Sequence, residues 1–179
     1  MSAQEQNDAS NVFLTGFMGS GKTTFGAKLA RSLKWAFVDL DQYIEKKEKI
    51  TVSSIFENFG EAAFRKIEQT CLNELLVKEK KAVIALGGGT ICFENNLENI
   101  KASGCLIFID TPAITLAQRL EKSKIKRPLI KDKKGEELIK FINDKLAERS
   151  IFYEQADIRI SGINLTPHSL EHALSEYWK

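Results

Sequence analysis

The chain has little cysteine, little proline and almost no net charge, and each shortage removes a class of protein. Its three cysteines, Cys71, Cys92 and Cys105, are odd in number, widely spaced, and form no C-x-x-C pair. Neither a disulfide framework nor a zinc site is expected, and the pattern suits reduced thiols in a cytoplasmic protein. The 26 basic and 24 acidic residues leave +2, so no overall field favours nucleic acid or a membrane surface as a partner. No apolar run approaches the roughly 18 residues that would span a bilayer. The polar opening residues, with Glu5 and Asp8, read as neither a secretory signal nor an Arg-rich transit peptide. No internal repeat is visible. What is present, 179 residues of which 43% are hydrophobic, suits a single globular domain over 1–179 with a proper core.

Apolar runs at 12–15, 35–38, 82–86, 105–109 and 157–160 read as strands. Between them lie helical stretches at 21–33, 41–49, 51–58, 61–78, 95–102, 135–153 and 167–178, with a further helix opened by Thr111-Pro112. Gly60 separates the third and fourth of these. Strands that are apolar throughout, alternating with helices, imply an α/β fold whose parallel sheet is covered on both faces. Right-handed crossovers then place the strand C-terminal ends along one edge, where ligands bind. Three unusual groups each follow a different strand: Gly16 to Thr23, Asp39 with Asp41, and Gly87-Gly88-Gly89. They are expected to meet at that edge. The basic stretch 122–134, with Pro128, breaks the pattern and reads as a mobile excursion between two helices.

Gly16-Phe17-Met18-Gly19-Ser20-Gly21-Lys22-Thr23 matches G-x-x-x-x-G-K-[ST] in full, between a strand and a helix. Glycines let backbone N–H groups turn inward around phosphate, and the helix N-terminus adds partial positive charge. Lys22 can bridge the β- and γ-phosphates, and the Thr23 hydroxyl can ligate Mg²⁺. The octamer indicates nucleotide binding but no particular reaction. The N-K-x-D guanine signature that GTPases usually carry does not occur. Asp39 and Asp41, two apart on an extended segment, share a face. One can support the metal while the other accepts a hydrogen bond from an acceptor hydroxyl; equally, either can simply cap the next helix. Glu61, Arg65 and Glu68 fall along one helix face. They are either an exposed salt-bridged surface, or two carboxylates holding an arginine whose planar fork grips a substrate carboxylate.

Taken in order, GFMGSGKTT at 16–24, DLD at 39–41, FENFGEAAFRKIE at 56–68, GGG at 87–89, RPLI at 127–130 and R-x-x-x-Y at 149–153 resemble the shikimate kinase family from about residue 11 to 160. Each later motif is weak alone; their order behind a complete P-loop is specific. The resemblance implies a three-layer P-loop kinase fold: a central five-stranded parallel sheet flanked by helices, a substrate-binding helical region at about 40–70, and a lid at about 119–134. It implies Mg²⁺-dependent transfer of the ATP γ-phosphoryl group to the 3-hydroxyl of shikimate, on the way to chorismate and aromatic amino acids, by a monomer. Residue by residue, Asp41 would orient or deprotonate the attacking hydroxyl and Asp39 would support Mg²⁺ with Thr23. Arg65 and Arg149 would bind the shikimate carboxylate, Glu68 would orient the pocket, and Phe56 and Phe64 would wall it. Gly87, Gly88 and Gly89 would let the backbone approach the acceptor. Gly19, Ser20, Gly21, Lys22, Thr23 and Thr24 would hold ATP, with Arg127 reaching the phosphates from the lid and Arg119, or else Lys122, against the adenine. RPLI stands where the family commonly has RPLL. Two other readings use the same motifs: a related kinase for gluconate or a nucleoside monophosphate, and a non-catalytic nucleotide-binding module. His168-Ser169-Leu170-Glu171-His172 matches a zinc-protease pattern but lacks a third ligand and reads as chance. Trp35 and Trp178 read as packing residues.

Overall fold

Every residue of Asn11–Thr15 (β1) is buried, which places this strand at the centre of a sheet. The computed structural model describes residues 11–123 and 128–179; Arg127, the expected lid arginine, lies outside the described residues. The other strands are Ala36–Asp39 (β2), Ala82–Ala85 (β3), Gly104–Asp110 (β4) and Ile158–Ser161 (β5). They form a five-stranded sheet in the order β2-β3-β1-β4-β5, and every pairing is parallel. The helices are Lys22–Leu33 (α1), Leu40–Glu48 (α2), Val52–Lys78 (α3), Asn96–Ser103 (α4), Ala113–Glu121 (α5), Gly135–Tyr153 (α6) and Pro167–Tyr177 (α7). The expected α/β class and its five parallel strands are thus observed, with strand ends shifted by a residue or so.

Successive side chains of β1 point to opposite sheet faces, and the core divides accordingly. Phe13 joins Leu40, Ile55, Leu72, Ile84 and Leu106 under α2, α3 and α4. Val12 and Leu14 join Leu29, Val83, Ile107, Leu170 and Leu174 under α1 and α7. A third cluster, with Phe17, Leu116, Leu120 and Ile142, packs α5 and α6 beneath the phosphate loop. Trp35 and Trp178 pack on each other with ring centroids 5.8 Å apart. The expectation of strands buried on both faces holds for β1 and β3 but not at the edges. In β5 every second residue is exposed, and Arg159 there pairs with Asp110 at 2.7 Å, because an edge strand has a neighbour on one side only. Gly60 (φ 78°, ψ 174°) kinks α3, as the two separate helical stretches require. His168 and His172 lie on α7; among the described residues, no group of three His, Cys, Asp or Glu side chains could hold a metal.

Sheet register depends on two small features. The buried Asn11 amide donates to Glu79 O and accepts from Ala82 N, both at 3.0 Å, which fixes the entry into β3. Gly104 stands opposite Asn11 in the ladder, and a Cβ there would lie 2.0 Å from the Asn11 carbonyl oxygen. The clash is with backbone at the first pair of the β1–β4 ladder, so it cannot be relieved by a rotamer change. Gly104→Ala is therefore expected to cost about 3 kcal/mol or more, read as a lower urea midpoint at unchanged m-value.

Candidate active site

The loop after β1 turns sharply enough that only glycine serves at its ends. Gly16 has φ +143° and a Cβ there would sit 2.8 Å from Ile109 O; Gly21, the residue capping α1, has φ +102°. Lys22 then folds back over the loop, donating to Gly16 O at 2.7 Å and Phe17 O at 3.1 Å. Thr23 donates its hydroxyl to Asp39 Oδ2 at 2.6 Å. The other oxygen of Asp39 accepts from Gln42 N at 3.2 Å, so Asp39 caps α2 and faces the phosphate loop at once. The capping reading of this carboxylate is observed, and its second oxygen is still turned toward the phosphate loop. Asp41 lies in the first turn of α2 and borders the cleft.

That cleft has a volume of about 830 Å³. Gly19, Gly21, Thr23 and Thr24 line one part of it, and Phe56, Phe64, Arg65, Glu68 and Arg149 another, with Asp39, Asp41 and Gly87 to Gly89 also on its wall. A recess of about 80 Å³ shares Thr23, Asp39, Asp41, Gly87 and Gly88 with it and reaches Lys22. Lys22 lines the recess and Arg65 the cleft, and the two cavities share wall residues from all three strand-end loops. Ser20 differs from its neighbours: it is fully buried, its hydroxyl lies against Gly16, and its N–H donates to Phe17 O at 3.1 Å.

Arg65 is held from both sides, by Glu68 Oε2 at 2.7 Å and Glu61 Oε1 at 3.1 Å. The Arg65 side chain is 11% exposed and that of Glu68 0%, so the Glu68 half of this trio is closed off from water, while Glu61 remains exposed. Burial pulls the guanidinium's pKa down, and the attraction and hydrogen bonds of Glu68 and Glu61 more than offset it, leaving a net rise. Arg149 enters from α6 and donates to Gly88 O at 2.9 Å. Tyr153, one turn on, donates to the same carbonyl at 2.8 Å. The Tyr153 ring stacks on Phe108, with centroids 4.5 Å apart and planes 5° off parallel. Burial pushes its hydroxyl up to about 12, so it stays a donor at any neutral pH. A Cβ on Gly89 would lie 2.8 Å from Arg65 Nη2 and 3.4 Å from Arg149 Nη2. Both guanidiniums thus converge on the glycine turn, where a larger residue would hold them apart. Phe56 and Phe64 meet with centroids 4.5 Å apart and form the apolar wall beside Arg65.

Arg119 borders the cleft and ties two loops together, donating to Gly19 O at 3.2 Å and Gly162 O at 3.0 Å. Lys122 is exposed. Sequence reasoning missed Thr90 and the anchoring role of Tyr153. Thr90 directly follows the glycine run, and Tyr153 stands four residues from Arg149, but neither position signals which atom it meets. It also missed Met18, Val52 and Leu129 in the lining.

Thr23 and Asp39 offer two hard oxygen donors beside the phosphate loop. That donor set fits Mg²⁺, which keeps several waters and takes the remaining ligands from phosphates rather than from a full protein cage. One part of the cleft presents the glycine loop and threonine hydroxyls, and another presents two guanidiniums beside apolar rings.

Comparison with known proteins agrees with this geometry. The family model described as shikimate kinase matches residues 18–177. A shikimate kinase from Azobacteroides pseudotrichonymphae is 44% identical over 147 residues, covering 82% of this chain and 86% of that protein. The crystal structure of shikimate kinase from Bacteroides thetaiotaomicron superposes with a TM-score of 0.87 at 36% identity, covering 93% of this chain and 99% of that one. Shikimate kinase from Acinetobacter baumannii, solved in complex with shikimate, gives 0.85 at 34% identity, covering 99% and 100%. With the family match spanning most of the sequence and the fold shared end to end, the chain belongs to the shikimate kinase family.

Proposed function

We propose that this chain transfers the γ-phosphoryl group of ATP to the 3-hydroxyl of shikimate, with Mg²⁺, as a monomeric cytoplasmic enzyme on the route to chorismate. Its single domain over 1–179 would carry a substrate-binding region at about 40–70 and a lid at about 119–134. The observation that carries this reading is the pair of guanidiniums, Arg65 and Arg149, meeting at Gly89 in the same cleft as a complete phosphate loop. Two planar forks around one small space suit a carboxylate.

In the proposed mechanism Arg65 and Arg149 grip the shikimate carboxylate while Phe56 and Phe64 cover the ring. Asp41 orients the attacking hydroxyl and accepts its proton. Lys22 leaves the Gly16 and Phe17 carbonyls for the β- and γ-phosphates, so the bonds it makes now hold it ready. Thr23 and Asp39 would hold Mg²⁺, which neutralises charge on the phosphates when bound. Arg119 lies against the nucleotide end of the cleft and takes the adenine in preference to Lys122. Arg127, which lies outside the described residues, would add a further positive charge at the phosphates. A loose phosphoryl-transfer transition state asks mainly for in-line positioning and charge neutralisation, and these residues supply both.

The test is ADP release in a coupled assay with shikimate, gluconate and nucleoside monophosphates offered separately. Release that depends on shikimate alone is expected. Selective turnover of another acceptor would replace the substrate, and tight ATP binding with no acceptor-dependent release would make the chain a nucleotide-binding module.

A further inference from the structure

Glu68 is fully buried, and only one of its oxygens meets Arg65. The other, Oε1, accepts from the Thr90 hydroxyl at 2.6 Å, the short distance of an O–H···O⁻ bond. Thr90 is itself fully buried. Its hydroxyl also lies 3.2 Å from Gly87 O, but it has one proton to give, and the much shorter contact to a charged acceptor takes it. The Thr90 carbonyl accepts in turn from Asn96 Nδ2 at 2.9 Å. A continuous polar path therefore runs Asn96–Thr90–Glu68–Arg65 behind the cleft wall. Gly87 leaves space for it: a Cβ there would lie 2.5 Å from Glu68 Oε1 and 2.9 Å from Thr90 Oγ1.

From this geometry we infer that Thr90 is a positioning residue: it fixes the rotation of the Glu68 carboxylate, and through it the plane of the Arg65 fork, in the orientation that receives the substrate carboxylate. The inference deepens the reading of the site as a shikimate kinase and rests on it. A carboxylate has one torsion that sets which oxygen faces which donor. With Thr90 holding Oε1, Oε2 is left to Arg65 Nη1, and Glu61 takes Nη2. Without the Thr90 hydroxyl, Oε1 loses its short buried donor, and the carboxylate turns to share Arg65 differently.

Thr90→Val keeps the shape and removes the hydroxyl. The expected result is a rise of about tenfold in KM for shikimate, the effect of one charge-assisted hydrogen bond, with KM for ATP unchanged and kcat little altered. Thr90→Ser restores the hydroxyl and is expected to recover the wild-type KM. A second reading needs no substrate: the Nη signals of Arg65 in ¹⁵N NMR, resolved in the wild type by hindered rotation, are expected to average in Thr90→Val and to return in Thr90→Ser. A shikimate KM unmoved in Thr90→Val, an equal rise in KM for ATP, or a serine variant as impaired as the valine one overturns the inference. If the wild-type chain does not turn over shikimate, the functional reading fails on its own, and the Arg65 signals still decide the role of Thr90.

Discussion

Asp41→Asn is expected to lose about 10³-fold in kcat, the usual scale of a general base, while ATP still binds with near-normal affinity. The amide has the size and shape of the carboxylate, so packing at the first turn of α2 is conserved. What disappears is an acceptor for the proton of the attacking hydroxyl. The position suits that task. Asp41 borders both the main cleft and the recess that reaches Lys22, and a Cβ on Gly87 would stand 3.4 Å from its Oδ1. The carboxylate therefore lies between the phosphate loop and the acceptor pocket. Asp39, two residues earlier, gives its two oxygens to Thr23 and Gln42. Steady-state kinetics with shikimate varied at saturating ATP make the measurement. A near-normal kcat in Asp41→Asn would sink the assignment and leave positioning and charge neutralisation as the whole of catalysis.

The parts of this site that the sequence announces are those built from consecutive residues. The phosphate loop is one octamer, and its chemistry is inseparable from its spacing. The glycine run and the Asp39–Asp41 pair follow strands whose apolar runs reveal a parallel sheet, so their meeting at one edge follows from topology. The Glu61–Arg65–Glu68 trio is legible as a helix face, but its burial is not: periodicity gives a face, and only the packing of α3 against the sheet shows that Glu68 is closed off from water. The Arg149 and Tyr153 anchors on Gly88 O join residues about sixty positions apart in the chain, and no local pattern encodes that meeting. Thr90 was invisible for the same reason. Its partner lies on α3, 22 residues earlier, and a threonine after three glycines reads as nothing more than the end of a turn. Asp39 shows a different limit. Capping and a role at the phosphate loop seemed to compete because each was weighed for the whole side chain, whereas a carboxylate has two oxygens: one accepts from Gln42 N and the other from the Thr23 hydroxyl.

Removing Arg65 tests the acceptor side, and stability and affinity are expected to respond differently to two substitutions. Arg65→Ala leaves Glu68 buried with its main cationic partner gone. Breaking such a pair from one side costs about 3 kcal/mol, a large share of the ordinary margin of stability. It also deletes one of the two forks, so KM for shikimate is expected to rise about 100-fold, the loss of a charge-assisted carboxylate contact, with KM for ATP near normal in the fraction that stays folded. Arg65→Lys separates the two effects. An ammonium keeps the charge that Glu68 requires, and most of the stability is expected to return in a urea titration. A point charge has no planar fork, however, and cannot face Glu68, Glu61 and a substrate carboxylate in one plane. Its shikimate KM is therefore expected to stay high. If Arg65→Lys binds shikimate as the wild type does, charge alone is enough, and the forked geometry held by Glu68 and Glu61 has no part in recognising the acceptor.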